Sequence, residues 1–563
     1  MDDKIKLSKE EQLKSRSLDL RGDLIEELGN GTTNFTKDSY QLLKFHGLYQ
    51  QDDRDKRKGK EKEYSFMIRC RIPGGGLNAE QYLVHDRLAD THANGTLRIT
   101  TRQTFQFHGV LKHNISETLS TINDLLLTTM AACGDVVRNV MYSPIPAISS
   151  RQDIIKKHAD EISNKLLPKT KAFHDVWLDG EKVYTGEKEY ESVETFYGPK
   201  YLPRKFKIGI AEAGDNSIDV YTQDIGIVAL FNESDDLEGF NLIAGGGLGM
   251  NHKKKDTFPR LGDHLGFIDA ERLYEVVETI VSVQRDHGNR SNRRQARMKY
   301  LIDSWGIDKF KDEVEQRLGY PLEPFRPMPE FELKLYHGWH KQQDGRWFLG
   351  LFVENGRIKN EGNLRLKDGL HEAISKYQPD IQLTPHQDII LTNINEADRA
   401  GIEYILKENG IPLPDHYSKT VRFAMACPAM PTCGLAITES ERVMPQIIRE
   451  IENEIARIGL QDKTITVRMT GCPNGCARPY VADIGFVGQS LEKYSVFVGG
   501  DPSGAHINTL YRELVPFEEL TNTVRPLLEQ YKEEHKNGET FGAFWRRTEL
   551  PQPNNVKENA QIE

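Results

Sequence analysis

Cysteine is scarce: six residues among 563, too few for a disulfide scaffold. No run of about 18 consecutive apolar residues occurs, so a membrane-spanning helix is not expected. The opening stretch MDDKIKLSKEEQLKSR mixes acids with bases and lacks an apolar core, so no secretory signal is expected and the protein reads as cytoplasmic. An excess of basic residues is missing too. Lys plus Arg total 74 against 84 Asp plus Glu, a formal net charge of −10, which argues against a general nucleic-acid or anionic-membrane binder. Nor does a Gly-x-Gly-x-x-Gly follow a strand, since GGGLG at 245–249 fails at the last position, so direct NADPH binding is not expected.

What remains is an ordinary globular composition, 38% hydrophobic and 28% charged, long enough for three or four domains or fewer large ones. The first 64 residues are strongly polar and close on the charge run DDRDKRKGKEKE (52–63), which reads either as a solvated arm or as a docking surface for a partner. From Tyr64 onward, YSFMIRCRI and LRITTRQTFQFHGV read as strands, with a helix predicted near Ala79 to Thr91 between them. The pattern returns later as RWFLGLFVENGRI, a helical KDGLHEAISKY, and IQLTPHQDIILTNI. Aligning Thr100 with Thr384 also pairs Gln103 with Gln387. It sets Ile99, Phe105, Phe107 and Val110 on Leu383, Ile389, Leu391 and Ile394, whereas Arg102, Gln106 and His108 become His386, Ile390 and Thr392. Shared apolar positions with diverged polar ones predict a duplicated fold with one working site. Helical spacing is also read at Phe267 to Gln284 and at Pro445 to Ile458, and strands at 465–469 and 481–488.

Four of the cysteines form two pairs, Cys427-PAMPT-Cys433 and Cys472-PNG-Cys476, with 38 residues between the pairs. In a reducing compartment four thiolates suit an iron–sulfur cluster or zinc, with inert buried thiols as the plainer alternative. The five-residue gap is atypical of zinc knuckles, and the Pro- and Gly-rich loops leave room for something bulky. Cys70 and Cys133 stand alone and read as packed thiols.

The settings ACPAMPTCGLA and TGCPNGCARPYVADIGFVG resemble the cluster signature of the sulfite and nitrite reductase family. FMIRCRIPGG, LRITTRQTFQFHG, NLIAGGGLGM and QARMKY extend the resemblance over roughly residues 45 to 490, and FHGLYQQDDRDKR with YLPRKFK is similar to its hemoprotein (beta) subunit branch. The resemblance implies an α+β class, a three-lobed fold with internal pseudo-two-fold duplication. Its lobes would be 65–134 plus 333–412, then 135–332 for siroheme and substrate, and 413–563 for the cluster, after an arm at 1–64.

It also implies siroheme and a 4Fe-4S cluster as cofactors, with Cys427, Cys433, Cys472 and Cys476 holding the cluster and Cys476 shared as axial ligand of the siroheme iron. Siroheme carries eight carboxylates, for which Arg98, Arg102, Gln106, His108, Arg204, Arg297, Lys299 and Asn474 are the expected partners. Arg98, Arg102, Gln106 and His108 alternate along what reads as one strand, which would place them on one face. Arg69, Arg138, Lys205 and Lys207 would bind the small anionic substrate sulfite and deliver protons. Lys205 and Lys207 are expected to point the same way with Phe206 packed behind them. Electrons would come from NADPH through a flavoprotein (alpha) subunit carrying FAD and FMN, with the first 64 residues as part of its docking surface. An assimilatory nitrite reductase on the same fold and a zinc-stabilised non-catalytic protein are the alternatives. The polar tail after Trp545 reads as disordered or partner-facing.

Overall fold

In a computed structural model of the chain, the described residues are 6–57, 59, 61–144, 150–170 and 194–548, with the backbone of two short strands, Val176–Leu178 and Glu181–Tyr184. The chain divides into two compact units, Met1–Gly247 with Arg260–Asp415 and Leu248–Pro259 with His416–Glu563. The 135–332 and 65–134 plus 333–412 segments fall together in the first unit, apart from the 248–259 loop, which belongs to the second.

The duplicated segments build two five-stranded sheets. One runs in the order Leu48–Asp52, Tyr64–Arg69, Phe105–Val110, Leu97–Ile99, Arg357–Ile358. The other runs Gly338–Lys341, Trp347–Leu351, Ile389–Ile394, Asp380–Leu383, Gly76–Leu77. Each sheet therefore ends on a two-residue strand lent by the other copy, an exchange that removes one free edge from each. Thr100 and Gln103 close the same turn as Thr384 and Gln387: Thr100 N donates to Thr104 O at 2.9 Å and Thr384 N to Asp388 O at 3.0 Å. Gln103 and Gln387 both sit in the left-handed region, φ 51° and 72°. The helix Ala79–His92 begins at Asn78, whose side chain and that of Gln81 cap it reciprocally.

That turn corrects the strand read across 97–110. The segment is a hairpin of two strands, and Arg102 lies in the turn between them. Arg98, Gln106 and His108 still share a face, because Arg98 and Gln106 are direct cross-strand partners and Gln106 and His108 are two apart. The opposite face, Leu97, Ile99, Phe105 and Phe107, is fully buried.

The first 64 residues are not a solvated arm. Their helices Lys9–Ser15, Leu24–Leu28 and Lys37–Leu43 send Leu13, Leu24, Leu42 and Leu43 into the core of the first unit, Phe45 follows from the turn Lys44–His46, and Leu48–Asp52 is a strand of its sheet. Burial of this apolar face outweighs the polar average, as in any amphipathic segment. The charge run is the connection between the first two strands, tied by Asp53 N donating to Glu63 O at 3.0 Å. Phe267 proves to be strand, in Asp263–Ile268, and the helix runs Leu273–His287. After Trp545, Arg546 and Arg547 finish the helix Phe541–Arg547, and residues 549–563 lie outside the described residues.

A second duplication relates the other two five-stranded sheets. Met141–Tyr142, Ile208–Glu212, Ile225–Phe231, Leu237–Ala244 and Asp263–Ile268 lie in that order, the first three parallel and the last two antiparallel. Met425–Ala426, Val467–Thr470, Ile484–Ser490, Lys493–Val498 and Thr509–Pro516 repeat the arrangement in the second unit. Asp224 accepts from Lys207 N, and Asp483 from Thr466 N, both at 2.8 Å. Asp219 and Arg478 both turn left-handed. In this correspondence Ser217 stands where the second unit has Cys476, so only one copy carries the thiols.

Candidate functional site

The first unit gathers cations. Across its first sheet, Arg357, Arg98, Gln106 and Arg69 are successive cross-strand partners and form one polar row, with Ile358, Leu97, Phe107 and Ile68 as the apolar row next to it. The strand exchange delivers Arg357, which sequence reasoning missed. Gln106 links the row: its amide oxygen, turned toward Arg69, accepts from Nε at 2.8 Å and from Nη2. Arg69 also donates through Nη1 to Cys133 Sγ at 3.2 Å.

From the turn, Arg102 reaches the neighbouring sheet, donating to Gln223 Oε1 at 2.9 Å, to Ile208 O at 3.3 Å and to Asn139 O. Burial and then Arg138 lower its proton affinity to about 9. Arg138 is buried and donates to Gly134 O at 3.2 and 3.1 Å. Although burial pulls its proton affinity down, Tyr49 and Cys133 push it up overall. Phe206 is buried and bridges to Val137, which leaves half-buried Lys205 and Lys207 on the other side of the chain. Burial, Arg102, Lys205 and Arg297 together hold Lys207 well below the usual ammonium range. Arg204 is held down to about 10 by burial and Arg293, and lies 3.8 Å from Asp135.

Two predicted cofactor contacts are engaged by protein groups. Arg297 is clamped by Asp224, Nε to Oδ1 at 3.2 Å and Nη2 to Oδ2 at 2.6 Å, and also donates to Gly246 O. It fills the space beside Gly247 that any side chain there would take. Lys299 Nζ donates to Gly247 O at 3.0 Å, and burial followed by Arg297 lowers it to about 7. Unfolded, the same group keeps its proton to 10.5. The chain prepared free of anionic cofactor should therefore lose stability as pH falls from about 10 toward 7, because folding then has to suppress or bury a charge. Lys299→Met should flatten that slope; parallel thermal-denaturation series for both proteins would show the slope arises elsewhere.

Arg69 and Arg138 thus act on the proton of Arg102, Arg138 on that of Arg204, and Arg102 with Lys205 on that of Lys207, with Asp135 and Asp224 as the carboxylates that recur among them. A group so rich in cations fits an anionic ligand. Tyr49 and Cys133 belong to it as well: Tyr49 hydrogen-bonds Arg138, and burial raises its phenol. Cys133 was signalled in the sequence only by lying five residues before Arg138, and Tyr49 by its place in FHGLYQQDDRDKR. Cys70, by contrast, is buried against His85 at 3.3 Å, and burial drives its thiol far up.

The second unit holds the thiols. Met425–Ala426 and Val467–Thr470 are adjacent parallel strands, so the loops leaving their carboxyl ends emerge side by side, bringing Cys427 and Cys433 to Cys472 and Cys476. Gly471 N donates to Cys427 Sγ at 3.4 Å and Asn474 Nδ2 to Cys472 Sγ at 3.5 Å. A Cβ at Gly471 would strike Thr438 O and Ala429, so glycine is needed for that approach. Gly475 takes the left-handed turn (φ 63°) before Cys476. Cys427 and Cys472 are buried, Cys433 half-buried and Cys476 exposed. Burial, then Cys476, raises Cys427, and the same causes push Cys472 up to about 12. Four mutually interacting thiols with N–H donors to sulfur fit an iron–sulfur cluster, whose cationic irons reverse this preference and hold the thiolates. Among the described residues no three His, Cys, Asp or Glu side chains stand where one metal ion could be held.

Fold and loops together define a twice-duplicated α+β protein with a group of cations in one unit and a four-cysteine loop pair in the other. Residues 158–322 and 417–551 match the nitrite and sulphite reductase 4Fe-4S domain, and 57–125 and 340–409 the nitrite/sulfite reductase ferredoxin-like half domain. The chain belongs to the nitrite and sulphite reductase family. It is 46% identical over 558 residues to the sulfite reductase [ferredoxin] of Synechococcus elongatus, covering 96% of this chain and 89% of that one. It is 45% identical over 545 residues to the sulfite reductase [NADPH] hemoprotein beta-component of Staphylococcus saprophyticus, covering 96% and 95%. A solved structure, the NirA protein of Mycobacterium tuberculosis, superposes with a TM-score of 0.76 at 25% identity, covering 97% of each chain. Among the described residues no helix is long and apolar enough to cross a membrane.

Proposed function

We propose that the chain is the hemoprotein subunit of an assimilatory sulfite reductase, an oxidoreductase that carries sulfite to sulfide with six electrons in sulfate assimilation and cysteine biosynthesis. The observation that carries this reading is the cation group of Arg69, Arg102, Arg138, Arg204, Lys205 and Lys207, in a chain about half identical to proteins named sulfite reductases. When bound, siroheme supplies the iron centre for sulfur reduction and the 4Fe-4S cluster its electrons. Cys427, Cys433, Cys472 and Cys476 would hold the cluster, Cys476 also serving the siroheme iron. Its exposure, unlike that of Cys427 and Cys472, supports that second role.

Arg98, Arg102, Gln106, His108, Arg204 and Asn474 would meet the siroheme carboxylates, with Arg297 and Lys299 bracing the Gly245–Gly247 turn beside them. Arg69 and Arg138 bind and orient the substrate oxyanion, since guanidinium offers paired donors and keeps its proton. Lys205 and Lys207 give protons up, the affinity of Lys207 being lowered by burial, Arg102 and Lys205. Electrons come from a flavoprotein (alpha) subunit bearing FAD and FMN and reduced by NADPH. A cytoplasmic setting suits six free cysteines.

The test is turnover of the purified, coloured protein with a reduced dye on sulfite and on nitrite, then with NADPH and flavoprotein in place of the dye. A marked preference for nitrite would assign the chain to nitrite reduction. Turnover with reduced ferredoxin but not with the flavoprotein would replace the donor. A colourless, iron-free protein from a siroheme-making host would remove the reading altogether.

A further inference from the structure

The helix Lys9–Ser15 carries two charges into the interior, Glu11 at 1% and Lys14 at 3% exposure. Buried charges are costly unless paired, and each of these is. Glu11 takes Lys14 and Arg290, and Lys14 Nζ also donates to Leu202 O at 2.7 Å and lies 3.5 Å from Asp135. Asp135, 2% exposed, receives Arg293 through two bonds, at 2.7 and 3.0 Å, and stands 3.8 Å from Arg204. Its backbone carbonyl accepts from Leu202 N at 3.0 Å, two residues before Arg204, and it precedes Arg138 by three. One carboxylate is therefore shared by Lys14, Arg204 and Arg293 and ties the N-terminal helix to two segments that bear the cation group.

We propose that Asp135, fixed from behind by Lys14 and Arg293, is the positioning residue of the anion site, directing Arg204 and the Leu202–Lys207 segment toward cofactor and substrate. The N-terminal helix is then a support of that site. The inference rests on the cofactor role given to Arg204 above.

The sign of the effect separates positioning from bulk charge. Removing a carboxylate from a group of cations should strengthen anion binding if charge alone mattered. If Asp135 positions Arg204, its removal weakens binding, since Arg204 and Arg293 lose their common partner and repel. The experiment uses the full-length protein from a siroheme-making host and measures siroheme per chain, cluster iron and sulfide, thermal midpoint, and KM and kcat for sulfite with a reduced dye.

For Asp135→Asn we expect siroheme content to fall and KM to rise about tenfold, as for other supporting partners of a bound group, with cluster iron retained. Asp135→Glu should restore content and KM in part, and Lys14→Met, which leaves the Asp135–Arg293 pair, should raise KM in the same direction by less. Unchanged or lowered KM with full siroheme in Asp135→Asn overturns the proposal. Should that variant lack cluster iron as well, Lys14→Met decides: wild-type content and KM overturn it, a raised KM sustains it. A wild-type protein that binds no siroheme and reduces no sulfite would instead refute the function proposed above.

Discussion

Cys472→Ser should leave a folded protein with cluster iron and inorganic sulfide at background and reduced-dye turnover lowered at least about 100-fold. A serine hydroxyl ionises far less readily than a thiol and is a harder donor, so it does not replace a thiolate on iron. Cys472 is the more telling choice within its pair because it is buried and receives the Asn474 amide, so its sulfur has no role at the surface. Cys70→Ser provides the control, since that thiol packs against His85 in the other unit and its loss should leave the iron unchanged. Full iron and sulfide in Cys472→Ser would show that the cluster is held elsewhere.

Lys207 is expected to have the next largest effect. Lys207→Met should lower kcat for sulfite by about 10²–10⁴-fold, the usual worth of a positioned general acid. The informative variant is Lys207→Arg. It keeps the positive charge beside Arg102 and Lys205, so KM should stay near wild type. Its guanidinium does not release a proton at working pH, so kcat should fall almost as far as in the Met variant. If Lys207→Arg turned over at the wild-type rate, charge alone would be at work and the proton would come from another group, Lys205 being the nearest by sequence.

Much of the architecture was readable in the chain. The alignment of Thr100 with Thr384 and Gln103 with Gln387 marked a duplication that both turns reproduce, down to their left-handed glutamines. It was readable because a tight turn and an alternating apolar face are local demands that each copy must meet alone. The helix read near Ala79 to Thr91 is found at Ala79–His92, and its cap, Asn78 with Gln81, is likewise a local feature. The hairpin within 97–110 was not seen, since five residues of turn between two short strands, themselves rich in Thr and Gln, keep the strand composition. The N-terminal segment was misjudged because its average polarity hides a one-sided apolar stripe, and only the presence of a core to receive it makes that stripe count.

The cysteine spacing and the basic motifs were determined by sequence alone, as were the apolar periodicities, since each is a property of neighbours along the chain. Which cations meet, and what holds them, was decided by the tertiary structure. Arg357 joins Arg98 through a strand exchanged between copies, and Asp135 gathers Lys14, Arg204 and Arg293 from 14 to 293 along the chain. Electrostatic coupling depends on distance through space and on burial, and neither is written in the order of residues until the chain has closed around them.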